Sequence, residues 1–148
     1  DNIENKKGDI LNLNQKIYKR FYKFNDFQFI AIGTKEINMQ VENLVAQLQS
    51  GTNTEMTKWF FLLHESKYSK NLFESLGTDL KLDEFHGSPY VFIIDKKGFL
   101  RGRNDSDGIK FGYDMRSVAE LNNYMVDDVK IILAEYRLAL KKNNIFEN

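Results

Sequence analysis

The sequence predicts a single α/β domain, an α/β/α sandwich whose first two strands run parallel. Three observations support this prediction. The 148 residues, 42% of them hydrophobic, are enough for one domain with its own core. Two apolar runs rich in β-branched and aromatic residues, 27–32 and 59–63, are separated by a helical pattern. A β-hairpin over 90–103 and a long amphipathic helix then close the chain.

An amphipathic helix is expected to open the domain. Residues 1–8 are polar and are predicted to be mobile, and Asp9 is the expected N-cap. From there to Phe24, apolar side chains recur at the three- and four-residue steps of one buried helical face. These side chains are Ile10, Leu13, Ile17, Phe21 and Phe24. The run 27–32 (FQFIAI) follows as a buried strand that ends at Gly33.

A second helix and strand repeat the pattern. The helix starts at Asn38 or Met39, and Gly51 is predicted to end it in the left-handed conformation. The run 59–63 (WFFLL) indicates a second buried strand. Gly77 then closes a short third helix, whose apolar face consists of Tyr68, Leu72, Phe73 and Leu76.

The stretch 86–105 (HGSPYVFIIDKKGFLRGRND) organises the rest of the chain. Pro89, the only proline, stands directly before a buried strand over 90–94. The turn 95–98 leads to a second short strand over 99–103, so the stretch is predicted to form a β-hairpin.

Ser117 is predicted to cap the long final helix, and residues 143–148 are expected to be mobile. The buried face of this helix is expected to consist of Val118, Leu121, Met125, Val129, Ile132, Leu133, Tyr136 and Leu140.

The composition excludes several classes of function. The chain has no cysteine, which excludes disulfides, thiolate metal sites and cysteine nucleophiles. Its 21 basic and 21 acidic residues balance, so nucleic acid is not an expected partner. No apolar run reaches the roughly 20 residues of a membrane span. The chain begins with Asp1 rather than Met, so it is expected to be processed or a fragment.

The order of the predicted elements matches a thioredoxin-like domain, except that such folds have another central strand before the first helix, where only residues 1–8 are available. Either that strand lies upstream of Asp1, or the fold is incomplete. Within that order, FQFIAIGTK, KWFFLL and HGSPYVFIIDKKGFLRGRND resemble the Sco/SenC family of thioredoxin-like copper chaperones. The resemblance covers roughly residues 9–142. Relatives of the TlpA/ResA type share a pattern that Gly87, Pro89, Ile94, Asp95 and Gly98 also fit.

The Sco/SenC resemblance implies copper delivery to, or thiol reduction at, the CuA centre of cytochrome c oxidase. It also implies a periplasmic or membrane-tethered extracytoplasmic location and a respiratory-oxidase subunit or another envelope protein as partner. The family binds copper through two cysteines of a CxxxC motif and one histidine, and His86 falls on the histidine position. The cysteine positions fall near Ile3 and Lys7, so this chain is expected to be redox-silent.

His86 is the one candidate metal ligand, and the metal would be copper. His86 could bind copper only together with partners, because soft Cu(I) prefers thiolate or thioether ligands. The alternative is a loop histidine bonded to backbone. Pro89 and Asp95 are expected to shape the site. Pro89 occupies the place of the cis-proline of thioredoxin-like domains, and the alternative is a trans proline that starts an edge strand. His64 ends a strand and can simply face solvent.

Other sites are weaker candidates. Asp105 and the three residues after it do not make an EF-hand, because Arg103 takes the first ligand position. A basic cluster on the hairpin could meet an acidic partner or a phosphate, and the alternative is a solvated face. This cluster consists of Lys96, Lys97, Arg101 and Arg103. No Gly-x-Ser-x-Gly elbow accompanies either histidine, so an enzymatic function is not favoured.

Three hypotheses about function follow. The first is a Sco/SenC-like envelope protein for copper delivery or oxidase assembly. The second is a non-catalytic protein-interaction domain of thioredoxin fold that has lost its metal and redox site. The third is a TlpA/ResA-like thiol-disulfide oxidoreductase whose cysteines lie outside these residues. If the central strand is missing, an exposed groove would favour strand addition or dimerisation.

Overall fold

The helices that form the hydrophobic core pack on one side of a two-stranded parallel sheet. This arrangement comes from a computed structural model that describes residues 3–65, 67–104, 106, 108 and 110–146. The α/β class predicted from the sequence is confirmed, since helices and strands alternate along the chain.

The first helix begins earlier than predicted. α1 spans Ile3–Leu13, a π-helical segment (the first π turn) spans Asn14–Tyr18, and α2 spans Lys19–Phe21. Asp9 therefore lies inside the helix rather than at its N-cap, and the stretch expected to be mobile is helical from Ile3 onward. The physical reason is packing, because Ile3 is partly buried against the core and extends the helix toward the N-terminus.

β1 (Phe29–Thr34) and β2 (Trp59–His64) form the parallel pair that the sequence predicted. Their register runs from Phe29 opposite Trp59 to Thr34 opposite His64. A single turn of 3₁₀ helix, Lys35–Ile37, then leads into the next helix. Each strand alternates between a face that packs on the helices and a face that does not.

α3 spans Asn38–Thr52 and ends two residues later than predicted. Gly51 lies inside the helix, and Asn53 takes the left-handed conformation with φ of 50°. The Asn53 amide donates to the Gln49 carbonyl, and the Thr52 hydroxyl donates to the Leu48 carbonyl. Asparagine tolerates the left-handed region, so the chain did not need glycine to end this helix.

α4 spans Lys67–Glu74, and Gly77 with φ of 66° follows it, as predicted. The hairpin is also confirmed, but its strands are short: β4 (Ile93–Ile94) pairs with β5 (Leu100–Arg101). β3 (Tyr90–Val91) pairs instead with β6 (Tyr113–Asp114).

The strands therefore form three separate pairs in the described part of the chain, and no hydrogen-bonded ladder joins them into the one sheet that a sandwich requires. The hairpin run 90–94 was predicted to be a buried strand, which is wrong, because its residues are half-buried and Ile94 is exposed.

The closing helix starts at the predicted cap, where the Ser117 hydroxyl accepts a hydrogen bond of 3.2 Å from the Glu120 amide. It consists of α5 (Val118–Glu120), a second π turn (Leu121–Met125) and α6 (Val126–Phe146). It continues into the tail that was expected to be mobile, because no glycine or proline interrupts it. Within the described ranges, no helix is both long and apolar enough to cross a membrane.

The core lies between the inner face of the β1–β2 pair and the helices. Tyr18, Leu48, Leu121 and Met125 are almost fully buried there, and Trp59 joins them from β2. The two π turns contact each other across this core.

One polar side chain, Asn14, is fully buried in the same core. Its amide donates to the Leu48 carbonyl at 3.0 Å and to the Thr52 hydroxyl at 3.2 Å. Its oxygen accepts from the Trp59 indole N–H at 3.2 Å. Asn14 thereby ties the first helix to α3 and β2.

Candidate functional site

His86 lies on an exposed loop before the hairpin, with φ of 57°. Asp83 holds this loop, because its Oδ1 accepts from the Phe85 amide at 3.0 Å and from the Gly87 amide at 2.7 Å. Burial alone would raise the pKa of Asp83, but the Gly87 hydrogen bond and Lys6 outweigh it and lower that pKa. The backbone of His86 is therefore fixed while its imidazole faces solvent.

The same aspartate joins this loop to the first helix. Lys6 Nζ lies 3.1 Å from Asp83 Oδ2, so α1 runs beside the His86 loop. The Sco/SenC resemblance puts its two cysteines near Ile3 and Lys7, which are also on α1. Lys7 forms an ion pair with Glu4 there, at 3.9 Å.

Of the residues that it describes, the structure brings a single candidate copper ligand, His86, to this place. Among the described residues no group of three or more histidine, cysteine, aspartate or glutamate side chains could hold a metal ion. His86 supplies one imidazole and no sulfur ligand accompanies it on the loop, whereas Cu(I) prefers thiolate or thioether ligands.

Pro89 does not expose backbone groups for a partner. Its preceding peptide bond is trans, so the cis alternative is wrong and the trans alternative holds. Its carbonyl accepts a hydrogen bond of 2.9 Å from the Met115 amide, next to the pairing of β3 with β6. Pro89 is therefore tied into a strand pair.

Asp95 shapes the hairpin turn. Its Oδ1 accepts from the Lys97 amide at 2.9 Å and from the Phe99 amide at 3.0 Å. These backbone hydrogen bonds, Phe99 first, and the nearby Arg101 lower the pKa of Asp95. Gly98 completes the turn with φ of 84°. Asp95 therefore stabilises the hairpin turn.

The basic cluster on the hairpin is largely paired. Arg101 binds Glu135 with two hydrogen bonds of 3.1 and 3.0 Å, and Arg103 binds Asp128 at 2.7 to 3.2 Å. Lys96 forms an ion pair with Asp26. The arginines fasten the hairpin to α6, which leaves them little capacity for a phosphate. Sequence reasoning missed these partners, because they lie 25 and 34 residues away.

Asp128 is the centre of the strongest of these contacts. Tyr113, which is buried, donates its hydroxyl to Asp128 at 2.6 Å. Burial would raise the pKa of Asp128, but the hydrogen bonds from Arg103 and Tyr113 lower it. Burial, followed by the bond to Asp128, raises the pKa of Tyr113. The Arg103 guanidinium also lies 4.9 Å from the centre of the Tyr124 ring.

The loop considered for calcium includes Asp105 and Asp107, and these two residues lie outside the described part of the chain.

The most unusual surface is the face of the β1–β2 pair that points away from the helices. We call it the outer face and define it by Ile30, Ile32, Phe60 and Leu62, which are 53%, 46%, 46% and 53% exposed. The alternate residues Phe29 and Trp59 are buried on the inner face. The sequence predicted both strands to be buried, which holds for one face only.

His64 lies at the carboxyl end of β2, opposite Thr34. Its Nδ1 is 2.7 Å from the Glu65 carbonyl, to which it donates a hydrogen bond. Its Nε2 is shielded from water and has no hydrogen-bond partner. The Tyr68 ring packs edge-on against the imidazole at 6.1 Å. His64 therefore does not simply face solvent, as the sequence suggested, but packs at one end of the outer face.

Comparison with protein-family models, with curated proteins and with solved structures gave no match.

Proposed function

We propose that this chain is a non-catalytic protein-interaction domain that binds a partner through the outer face. The observation that carries the proposal is the row of four exposed apolar side chains, Ile30, Ile32, Phe60 and Leu62. Single exposed apolar residues are common on protein surfaces, but a contiguous row on adjacent strands is not.

The composition of the strands supports this proposal. Strands that read as continuous apolar runs are typical of parallel sheets covered on both faces, whereas a half-exposed strand alternates apolar and polar residues. β2 (WFFLLH) has the continuous apolar run of a strand that is covered on both faces, and so does most of β1 (FIAIGT). One face of each is nevertheless open to water. A covering element from another molecule resolves this mismatch.

An amphipathic helix of a partner protein is the occupant that fits the dimensions. Two strands about 4.8 Å apart make a strip about 10 Å wide, and six residues make it about 20 Å long. A helix is about 10 Å across, and about 13 residues of it span 20 Å. One helix therefore covers the outer face, with apolar side chains at helical spacing against the sheet.

A second copy of this chain fits less well. At the exposed fractions above, the four side chains leave on the order of 400 Å² of apolar surface, which lies within the roughly 300–600 Å² of the largest apolar patch on a typical monomer. A stable pair of proteins buries about 800 Å² on each partner. The outer face alone is therefore too small for a stable homodimer.

The thioredoxin-like fold is part of the same proposal. The parallel pair, the hairpin and the closing helix follow each other in the order that these elements have in a thioredoxin-like domain. The Lys6 to Asp83 ion pair puts α1 beside the His86 loop, which is where the resemblance places a copper site. Because Ile3 and Lys7 stand near the cysteine positions, the proposal treats this site as lost.

Site-specific photocrosslinking tests the proposal. A photoreactive phenylalanine analogue at Ile32 on the outer face, introduced in the producing cell, should crosslink to one partner through a helical segment mapped by mass spectrometry. The same analogue at Leu138, an exposed residue of α6, serves as the control and should give no such product. A synthetic peptide of the mapped segment should then bind the purified chain, and Leu62→Asp should abolish binding while Leu138→Asp retains it.

Other outcomes overturn this function. Crosslinks from Ile32 to a second copy of this chain would assign the outer face to a homodimer. Crosslinks to an extended segment paired along β1 or β2 would assign strand addition instead of helix binding. Equal products from Ile32 and Leu138 would show that the outer face has no specific partner.

Copper delivery, with an extracytoplasmic location and an oxidase or envelope partner, is the second candidate. Its support is the exposed imidazole of His86 on a fixed loop beside α1. Titration of the purified chain with Cu(I) and Cu(II) tests it, with His86→Ala as the variant and His64→Ala as the matched control. Binding lost only in His86→Ala would support this candidate, and no binding by the native chain would contradict it.

A further inference from the structure

A basic groove lies between the first and the closing helix, away from the outer face. It has a volume of about 560 Å³ and is lined by Gln15, Lys16, Lys19, Arg20 and Asn122. Of the five described residues that line the groove, three carry a positive charge, two are carboxamides and none is a carboxylate. The chain as a whole has no net charge, so this local concentration of positive charge is distinctive.

In the part of the chain that the structure describes, no carboxylate forms an ion pair with the cations of the groove. Within the described ranges, Lys16, Lys19 and Arg20 form no ion pair, whereas Arg101, Arg103 and Arg116 each bind a carboxylate. Lys19 and Arg20 lie in the last turn of their helix, where the helix dipole favours cations. That effect explains why positive charge is tolerated at this end, but it does not account for Lys16 or for the absence of acidic neighbours in the groove.

Both π turns supply walls of the groove. Gln15 and Lys16 belong to the first π turn, and Asn122 belongs to the second. π turns are rare and occur frequently at functional sites. The buried members of these turns, Tyr18 and Leu121, are anchored in the core, so the backbone that carries the wall residues is held in place.

From this arrangement we infer that the groove binds a phosphate-bearing anion with more than one negative charge. Arginine and lysine bind phosphate oxygens, and the arginine fork does so with two hydrogen bonds. The amide groups of Gln15 and Asn122 donate further hydrogen bonds. A multiply charged anion relieves the repulsion among the three cations. A free organic phosphate and a phosphorylated lipid headgroup share this chemistry.

Calorimetric titration with sodium tripolyphosphate at low ionic strength tests the inference. The groove variant combines Lys16→Gln with Lys19→Gln. The control variant combines Lys35→Gln with Lys97→Gln, which removes the same charge from exposed positions outside the groove. We expect the groove variant to lose about tenfold or more in affinity and the control variant to lose less than about twofold.

A second measurement does not depend on the variants. In a ¹⁵N-labelled native chain, tripolyphosphate should shift the side-chain amide resonances of Gln15 and Asn122 and leave those of Asn38 and Gln40 on α3 unchanged. Equal loss of affinity in the two variants, or unshifted Gln15 and Asn122 resonances, would overturn the inference.

Two further binding experiments identify the source of the phosphate. Cosedimentation with phosphatidylcholine vesicles containing phosphatidylinositol bisphosphate, lost in the groove variant, would support a lipid headgroup. Binding of soluble tripolyphosphate without vesicle binding would support a free phosphate. Binding of single-stranded RNA that tripolyphosphate cannot displace would overturn the inference in favour of nucleic acid.

Discussion

Asn14 is the residue on which the polar bonding of the core depends. It is fully buried and every polar atom of its side chain has a partner, including the indole N–H of Trp59. Its removal leaves that N–H without a partner in a region that water does not reach, and an unpaired buried donor is costly.

Asn14→Ala should therefore lower the free energy of unfolding by about 2–3 kcal/mol, because the hydrogen bond from the Trp59 N–H and those from the Asn14 amide are lost together. Gln15→Ala, at the neighbouring exposed position, should change it by less than about 0.5 kcal/mol. Urea denaturation of both variants provides the measurement. Equal effects would mean that the Asn14 network does not stabilise the core.

Asp128 gives the chain a dependence on pH. Because Arg103 and Tyr113 lower its pKa in the folded state below the ordinary value of 3.8, folding is favoured when this carboxylate is ionised. The contribution is complete above about pH 4 and is lost as pH falls through the folded-state pKa.

The free energy of unfolding of the native chain should thus decrease below about pH 4, and in Asp128→Asn the decrease should be smaller. Asp127→Asn, at the neighbouring exposed residue, should keep the native decrease. Denaturation at a series of pH values measures all three. A curve for Asp128→Asn parallel to the native one would exclude this role for Asp128.

The sequence singled out His86 as a candidate metal ligand and Asp95 as a residue that shapes the site, and both roles stay predictions. The partners of these two residues could not be read from the local sequence pattern. Asp83 holds the His86 loop through backbone amides, and Arg101 reaches Glu135 on a helix 34 residues away. Such partners are set by tertiary packing, which a single sequence does not reveal.

Gly51 and Gly98 differ in their backbone conformation. Gly51 was predicted to end α3 in the left-handed conformation, but the structure places it inside the helix and puts Asn53 at the end. Gly98 does occupy the left-handed region, in the turn that Asp95 supports. An added methyl group would meet no neighbouring atom at either glycine, so only backbone conformation distinguishes them.

Alanine substitution at these two glycines should have opposite effects. Gly51→Ala should stabilise the chain by about 0.5–1 kcal/mol, because alanine favours the helix interior. Gly98→Ala should destabilise it by about 1–2 kcal/mol, because a Cβ atom is strained at positive φ. Thermal denaturation of the two variants measures the direction of both changes in stability. Destabilisation by Gly51→Ala would instead support the shorter α3 predicted from the sequence, which ends at Gly51.

The long elements were the more predictable ones. The parallel pairing of β1 with β2 and the Ser117 cap followed from apolar runs and a capping residue. The start of the first helix did not, because Ile3 stabilises it by packing on the core rather than through a local signal. The exposure of Ile94 could not be predicted either, since an apolar run does not indicate whether another element covers it.

At the scale of the whole molecule, the core helices collect on the inner face of the β1–β2 pair, and the side chains of the outer face are exposed. A complete α/β/α sandwich would cover both faces, and its central strand would join the separate strand pairs. The mismatch between covered-strand composition and an open face is the basis of the proposed interaction. The groove between the two helical ends is a separate surface of different chemistry, polar and positively charged.

The stability of Leu62→Asp tests the central claim most directly, since it asks whether the outer face is open in the isolated chain. With Leu62 53% exposed, the free energy of unfolding should fall by no more than about 1 kcal/mol. Leu44→Asp, at a buried position of α3, should cost about 3 kcal/mol or more and validates the assay. A loss from Leu62→Asp as large as that from Leu44→Asp would mean that a second layer covers the sheet, and would contradict the proposed interaction surface.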